Sequence, residues 1–386
     1  MTDMSRRKTI GLTMIVKNEA AVILRCLESV RPLVDYMLIE DTGSTDGTQD
    51  LVRDYFRREG IRGEVRDVPW RDFAHNRTVG LELLRQRAEI DYALIIDADE
   101  IIVLEDGFDV DAFKSSLSED LYHVRIVFPP IVYHRPQLLK NHKGFEYRGV
   151  LHEYVEGPPE GFSAGTARGF HMLSSPSGAR SMDPKKYHRD AALLRDALRK
   201  EKDPFLISRY TFYLAQSLRD SGKKEQALRH YLKRATLGYW IEEVYISLYE
   251  AALLKEALGY APADVIGSYL AAYERVPGRA EALHGAVRYC RINDLFHQGY
   301  LIGAAAAAIP RPEGGLFVKD WIYEYGLLDE LSVVAYWTGR YAECLEMSLR
   351  LLTEGKLPAH ERPRIEQNAD FARRNLPATS TLDSAA

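Results

Sequence analysis

Acidic side chains follow two apolar runs in the N-terminal part of the chain. The run at 92–96 ends in the sequence DADE at 97–100, and the run at 36–39 ends in the glycine-rich sequence EDTGSTDGT at 40–48. Two carboxylates one residue apart, Asp97 and Asp99, can hold a hard divalent cation, which keeps coordination positions open for water and phosphate oxygens. The spacing therefore predicts a cation site that binds a phosphorylated substrate.

The elements that would position these carboxylates show alternating periodicity. Between residues 9 and 128, short apolar runs alternate with amphipathic helical patterns, which is typical of βαβ units around a mostly parallel sheet. The pattern predicts strands at 9–16, 36–40, 64–68, 92–97 and 122–128, and helices at 21–30, from about 45, and at 74–86. Both acidic segments then lie at the carboxyl edge of one sheet, where open α/β sheets bind ligands.

The second half of the chain has helical periodicity only. Helical patterns begin near residue 185, and we place a domain boundary near residue 202. Two similar segments, 221–228 and 338–345, each join two helices as in tetratricopeptide repeats, although no constant period is present. The patterns predict an α/β domain at 1–202, an all-α helical repeat domain at 203–376 and a disordered tail at 377–386.

Composition limits the classes of partner. The chain has 386 residues, a formal net charge of −5 and three widely separated cysteines, so it offers neither a basic nucleic-acid footprint nor a disulfide framework. Its longest apolar runs are too short to span a bilayer, and the run at 10–16 is too short for a signal peptide. We therefore predict a cytoplasmic protein with no nucleic-acid partner and no transmembrane segment.

Four segments resemble the family 2 glycosyltransferases in order and spacing. They are MIVKNE at 14–19, EDTGSTDGT at 40–48, NR at 76–77 and DADE at 97–100. A later segment, RGVLHE at 148–153, resembles a His-Glu motif in a subset that includes lipopolysaccharide-core glucosyltransferases and bacteriocin peptide glycosyltransferases. The resemblance covers about residues 9–175 and implies a GT-A fold, in which a nucleotide diphosphate sugar lies across the carboxyl ends of the strands.

The resemblance implies a set of nucleotide-sugar contacts. They are Val16, Asn18, Glu19, Asp41, Asn76, Arg77, Asp97 and Ala98. The carboxylate of Asp41 can accept hydrogen bonds from the base or ribose, and the planar fork of Arg77 suits a diphosphate. Other roles stay open, because Glu19 is also suited to the start of a helix, and Arg77 to a solvated helix face.

The metal ligands that the resemblance implies are Asp97 and Asp99, which match the family's Asp-x-Asp motif. Mn²⁺ or Mg²⁺ bound there bridges the diphosphate and neutralises charge on the leaving group. His171 is a third candidate, because imidazole binds Mn²⁺-type cations and this histidine precedes a loop that leads to basic residues at 185–189. Helix capping is the alternative for the carboxylates, and simple packing for the histidine.

Glu153 is the candidate catalytic base. The inverting reaction implied by the family needs one group that deprotonates the acceptor while the diphosphate leaves from the opposite side of the anomeric carbon. Glu153 follows a strand-like segment and lies in the His-Glu motif, although better-known family members carry Glu-Asp where this chain has His152 and Glu153. A structural ion pair is the alternative role for Glu153.

These patterns favour one function over two others. The favoured function is a metal-dependent, inverting transfer of a sugar from a nucleotide diphosphate donor, with a preference for UDP, to a peptide, protein or glycan. Homo-oligomerisation through the helical domain is a further expectation. One alternative is a non-catalytic nucleotide-binding scaffold whose helical repeats bind a protein partner, and the intact acidic motifs argue against it. The other is a nucleotidylyltransferase, which requires a glycine-rich loop after the first strand, where the chain reads VKNEA.

Overall fold

The protein is described here from a computed structural model, which covers residues 6–129, 131–175, 177–354 and 356–376. Its internal contacts divide the chain into two compact units, Met1–Ala197 and Leu198–Ala386. The predicted tail at 377–386 lies outside the described residues.

The first unit is built around a mixed nine-stranded sheet. Its strands, together with the two strands of a small separate sheet, are β1 (Ile10–Val16), β2 (Tyr36–Asp41), β3 (Gly63–Asp67), β4 (Tyr92–Ile95), β5 (Ile101–Leu104), β6 (Leu121–Phe128), β7 (Ile131–Lys140), β8 (Glu146–Arg148), β9 (Tyr154–Glu156), β10 (Ala164–Thr166) and β11 (Phe170–Leu173). The order across the large sheet is β3-β2-β1-β4-β7-β6-β11-β5, with β10 beside β6, and β8 pairs with β9. The strands β3, β2, β1 and β4 are parallel, whereas β7 is antiparallel to β4 and β6.

Helices cover both faces of the parallel strands. In the first unit they are α1 (Ile23–Val30), α2 (Thr48–Glu59), α3 (Phe73–Arg85), α4 (Val110–Ser116) and α5 (Lys186–Lys200). Alternate strand residues point to opposite faces, so Leu12 and Leu94 belong to one buried cluster and Leu38 and Ile95 to another. A side chain at Gly80 would place its Cβ 1.9 Å from Glu40 Oε1, so glycine allows α3 to approach β2 closely.

The second unit contains helices throughout its regular structure. They are α6 (Pro204–Asp220), α7 (Lys224–Ala235), α8 (Ile241–Ala257), α9 (Pro262–Arg275), α10 (Glu281–Ile292), α11 (Phe296–Ala306), α12 (Leu327–Trp337), α13 (Tyr341–Thr353) and α14 (Arg362–Arg374), with a π-helical turn at Ile322–Gly326. Successive helices pack against each other, as in a helical repeat. Gly222 and Gly339 both adopt left-handed backbone conformations, with φ of 79° and 76°, in the two similar turns found in the sequence. Within the described residues, no helix combines the length and apolarity that crossing a bilayer requires.

The predicted fold class is confirmed: a largely parallel α/β unit precedes a helical unit. The section at 129–184, for which the sequence predicts only the strand-like segment before Glu153, contains β7 to β11. Four of these five strands have only three or four residues, which is too short for a periodic pattern to emerge. Pro136 further obscures β7, because proline is depleted in strands.

Candidate functional site

Hydrogen bonds join the end of β1 to the turn after β2. Asn18 has a φ of 59°, a left-handed conformation that asparagine adopts more readily than most residues. Its Oδ1 accepts a hydrogen bond from Thr45 N at 2.8 Å, and its own N–H donates to Ser44 Oγ at 2.8 Å. These bonds fix the carboxyl ends of two neighbouring strands relative to each other.

Asp41 ends β2 as a buried carboxylate. Its Oδ1 accepts hydrogen bonds from Gly43 N and Ser44 N, both at 2.8 Å, and from Gln49 Nε2 at 2.7 Å. Burial opposes ionisation, but these donors outweigh it and leave the pKa of Asp41 below its usual value. Its Oδ2 is buried without a hydrogen-bond partner, so the carboxylate has capacity for another donor. Gln49 was not singled out from the sequence.

Arg77 joins two acidic residues of the predicted site. Its Nη2 donates to Asp97 Oδ1 at 2.7 Å, and its Nε donates to Glu153 Oε1 at 2.6 Å. The side chains of Arg77 and Glu153 are only 11% and 13% exposed, so the solvated-helix alternative for Arg77 is wrong. Burial raises the pKa of Asp97, but the charges of Arg77 and Arg135 outweigh that effect and lower it. The ion pair considered as an alternative for Glu153 is present.

Arg135 is a charged group near the site that sequence reasoning missed. Its Nη2 donates to both carboxylate oxygens of Glu100, at 2.7 and 2.8 Å. Glu100 is buried, and its Oε2 accepts a hydrogen bond from Asp97 N at 3.2 Å. The ion pair therefore fixes the turn that carries Asp97 and Asp99.

A second set of contacts places the segment after β11 against Asp99 and Glu19. Asp99 Oδ2 accepts a hydrogen bond from Gly178 N at 3.2 Å, and the carboxylate oxygens of Glu19 accept from Ala179 N at 3.3 and 3.2 Å. A Cβ at Gly178 would lie 2.8 Å from Asp99 Oδ2. A larger residue at position 178 would therefore displace the Asp99 carboxylate.

Negative charge is concentrated where these contacts meet. Burial raises the pKa of Glu19 to about 7, with the charges of Asp99, Asp46 and Asp97 adding to it and the Ala179 amide opposing it. Burial and the charge of Asp97 also raise the pKa of Asp99. These carboxylates oppose one another's ionisation, and a cation bound among them would stabilise their charged forms.

Three other predicted contact residues are buried. Val16 and Ala98 are 3% and 5% exposed, so only their backbones can present groups to a ligand. Asn76 is fully buried, its Oδ1 accepts from Arg71 N at 3.0 Å, and its Nδ2 donates to Pro69 O at 3.2 Å. In this structure Asn76 holds the loop before α3, and its contact with the nucleotide stays a prediction.

His171 does not join the two aspartates. It lies in β11, where its Nδ1 is 3.3 Å from Arg125 Nη2. Burial and the charge of Arg125 lower its pKa, with Glu105 opposing. Within the residues that the structure describes, no three His, Cys, Asp or Glu side chains are grouped so that they could hold a metal ion. The predicted three-ligand set is therefore not assembled, because β11 directs His171 towards Arg125.

Glu40→Gln is expected to weaken the pH dependence of stability. Burial raises the pKa of Glu40 to about 8, from 4.5, with the Thr13 hydrogen bond and the charge of Arg77 opposing. The folded state therefore holds this proton more tightly, so the stabilisation is complete below pH 4.5 and is lost as pH rises through about 8. In urea unfolding experiments, the free energy of unfolding of the wild type minus that of the variant should fall by at most about 1.4 kcal/mol per unit of rising pH. A difference independent of pH would contradict the assignment.

Comparison with known proteins identifies part of the first unit. Residues 12–106 match the family model described as glycosyl transferase family 2. This segment runs from β1 to just beyond β5 and includes Asp41, Arg77, Asp97 and Asp99. The first unit therefore contains a segment that is similar to the family 2 glycosyltransferases.

Relatives of the chain are of two kinds. A TPR repeat-containing protein of Synechococcus elongatus is 32% identical over 99 residues, which cover 25% of this chain and 22% of that protein. An uncharacterized glycosyltransferase of Rickettsia bellii is 29% identical over 115 residues, which cover 30% of this chain and 36% of that protein. The chain thus spans well under half the length of these curated relatives.

Solved structures give weaker likenesses. Residues 1–349 of S. aureus TarS in complex with UDP-GlcNAc have 14% identity and a TM-score of 0.34, covering 75% of this chain and 92% of that chain. YrrB, described as a TPR protein with an unusual peptide-binding site, has 13% identity and a TM-score of 0.35, covering 49% of this chain and 84% of that chain. TM-scores this low do not establish a shared function.

Proposed function

We propose that the protein is a metal-dependent, inverting glycosyltransferase that uses a nucleotide diphosphate sugar, with a UDP-sugar preferred. The observation that carries this proposal is the position of Asp97 and Asp99 within the matched segment. They follow β4, and Asp41 ends β2, with only β1 between these two strands in the sheet. The carboxyl edge of a parallel sheet is where such folds bind nucleotides.

The residues present fit Mn²⁺ or Mg²⁺. Hard cations take oxygen ligands, and Mg²⁺ in particular uses one or two carboxylates together with substrate phosphates and water. Asp99 Oδ2 has one backbone partner, Gly178 N, and burial together with the charges of neighbouring carboxylates raises the pKa of both Asp99 and Glu19. Asp97 and Asp99 would hold the cation, and the diphosphate would complete the coordination. When bound, the cation neutralises negative charge that develops on the leaving diphosphate.

Three further side chains have separate roles in binding the donor and in catalysis. The unpaired Oδ2 of Asp41 accepts a donor group of the base or ribose. Arg77 is charged, nearly buried and bonded to Asp97, so it can orient the diphosphate beside the cation ligands. Glu153 shares that guanidinium, which places its carboxylate next to the same region. Each of these groups is held by neighbours before any substrate arrives, and such preorganisation favours catalysis.

These residues would carry out the transfer of the sugar to the acceptor in one step. Glu153 takes the proton from the acceptor group as that group forms a bond to the anomeric carbon. The bond from that carbon to the diphosphate oxygen breaks, and the electron pair leaves with the nucleoside diphosphate. A base on the acceptor side and a leaving group on the opposite side give inversion. Glu153 Oε1 accepts a hydrogen bond from Arg77 Nε, whereas Oε2 takes no part in that bond and is the oxygen that receives the proton.

The acceptor we propose is a peptide or protein, with a glycan as the broader class. The His-Glu segment at 148–153 resembles that of bacteriocin peptide glycosyltransferases, and helical repeats commonly bind extended peptides. Homo-oligomerisation through the second unit stays a prediction.

A thermal-shift screen tests the donor proposal. UDP-sugars, GDP-sugars and ADP-sugars are added with and without Mn²⁺, and a UDP-sugar with Mn²⁺ is expected to give the largest rise in Tm. Ligand at about 100 times its Kd stabilises by about 2.7 kcal/mol, which corresponds to several degrees for a domain of this size. Donor hydrolysis is then measured with the best ligand. Binding without hydrolysis or transfer would favour the scaffold alternative, and no shift with any nucleotide sugar would contradict the proposal.

A further inference from the structure

The β6–β7 hairpin carries an exposed apolar surface. Phe128, Ile131, Val132 and Tyr133 are 37%, 46%, 58% and 41% exposed. The sequence from 126 to 133 contains no charged residue. A contiguous exposed apolar surface of this kind is more often an interaction site than ordinary protein surface.

The strand register connects this surface to the candidate site. Side chains two residues apart share a face of a strand, so Ile131 and Tyr133 lie on the same face of β7 as Arg135. Ile131 pairs with Phe128 across the hairpin, which adds a third apolar side chain to this face. Arg135 binds Glu100 in the turn that carries Asp97. The apolar face therefore begins beside the predicted metal ligands and extends away from them.

Electrostatics supports the same proximity. Burial raises the pKa of Tyr133, with Arg135 opposing and the charges of Glu100 and Asp97 adding to the rise. Tyr133 is partly exposed, and the charges of these carboxylates affect its pKa, so its side chain lies at the edge of the site.

One edge of β7 is open next to these side chains. The ladder between β7 and β4 ends at Leu138, whereas the ladder between β7 and β6 continues to Ile131. Among the described residues, those at 131–136 therefore have a strand partner on one side only. Pro136 lacks an N–H donor, so the pairing groups lie at 131–135. An open strand edge can pair with an extended chain.

We propose that this hairpin surface binds a polypeptide acceptor as an added strand, with apolar side chains flanking the residue that receives the sugar. The inference rests on the proposed glycosyltransferase function and specifies its acceptor. A polypeptide supplies both features that the surface requires, because its backbone pairs with the open edge and its alternate side chains contact Ile131 and Tyr133. A glycan has hydroxyl groups to satisfy, and between 126 and 133 only Tyr133 has a hydrogen-bonding side chain.

The test compares acceptor peptides in wild type and Ile131→Asp. Short synthetic peptides with a central Ser, Thr or Cys are flanked either by Val and Ile or by Ser and Gly, and a third set carries N-methylated backbone amides. With the donor chosen by the thermal-shift screen, the wild type should glycosylate the apolar peptides about tenfold more efficiently than the polar ones. N-methylation should lower that efficiency by a similar factor. Ile131→Asp should remove the preference for apolar flanks.

The control is Ile241→Asp, which introduces the same charge at an isoleucine of similar exposure, 48% against 46% for Ile131. It should retain the wild-type preference. Donor hydrolysis in water should be equal in the wild type and Ile241→Asp. Its absence in the wild type would count against the glycosyltransferase function itself. Hydrolysis by the wild type combined with equal use of both peptide sets would overturn the hairpin proposal. Transfer confined to oligosaccharides, or to acceptors in phospholipid vesicles, would overturn it as well.

Discussion

Asp99→Asn is expected to lower the rate of sugar transfer by at least about two orders of magnitude, if the cation contributes several kcal/mol to the transition state. Asparagine has nearly the same shape and keeps an oxygen that can accept the hydrogen bond from Gly178 N, which Asp99 Oδ2 accepts at 3.2 Å. The variant therefore removes charge while the neighbouring backbone keeps its contact. Initial rates of transfer and of donor hydrolysis, at saturating Mn²⁺ and at saturating Mg²⁺, measure the loss.

Asp106→Asn is the matched control for this variant. Asp106 is exposed after β5, and its substitution removes the same charge without altering the predicted cation site. It should leave the rate unchanged. Excess chelator added to the wild type should reproduce the loss seen in Asp99→Asn, and added cation should restore activity in the wild type only. Full turnover by Asp99→Asn, or by the wild type in chelator, would exclude the proposed metal dependence.

The ends of the parallel strands could be predicted because local sequence determines them. Buried strands are encoded as apolar runs, and the runs of β2 and β4 stop at a change to acidic or glycine-rich sequence, next to Asp41 and Asp97. The turn after β2 also has local bonds, since Asp41 accepts from residues two and three positions further on. Such features need no knowledge of the rest of the chain.

The groups that surround these strand ends could not be predicted in the same way. Arg135 reaches Glu100 across 35 residues, and Gly178 reaches Asp99 across 79 residues. These partners depend on sheet order, in which β7 lies next to β4, and no pattern within β7 indicates that order. The sequence indicated a loop between His171 and the basic residues at 185–189, but not that backbone amides of this loop would bond to the carboxylates of Asp99 and Glu19.

Arg77 shows how the two kinds of information combine. The sequence singled out Arg77, Asp97 and Glu153 individually, and the structure shows that one guanidinium binds both carboxylates. The Glu153 carboxylate left without Arg77 would be costly, since an unpaired charge of low exposure destabilises a fold. The same pairing holds the proposed base at a fixed position relative to a predicted metal ligand. An ion pair in this position is therefore compatible with a catalytic role as well as a structural one.

Glu153→Gln separates these roles. In the wild type, Arg77 Nε donates a hydrogen bond to Glu153 Oε1 at 2.6 Å. Glutamine keeps the side-chain length and an oxygen that can accept this hydrogen bond, but it cannot take the acceptor proton. If Glu153 is the base, transfer should fall by at least about two orders of magnitude, whereas the Kd for the nucleotide sugar, measured by calorimetry with Mn²⁺, should change little. If Glu153 only supports Arg77, donor binding and Tm should fall together with transfer.

Glu156→Gln provides the comparison, because Glu156 ends β9, the strand that begins directly after Glu153, and it forms a surface ion pair with Arg148. Its loss should affect neither transfer nor donor binding. Normal transfer by Glu153→Gln would place the base elsewhere, while leaving the roles of Asp97 and Asp99 to be decided by the metal experiments.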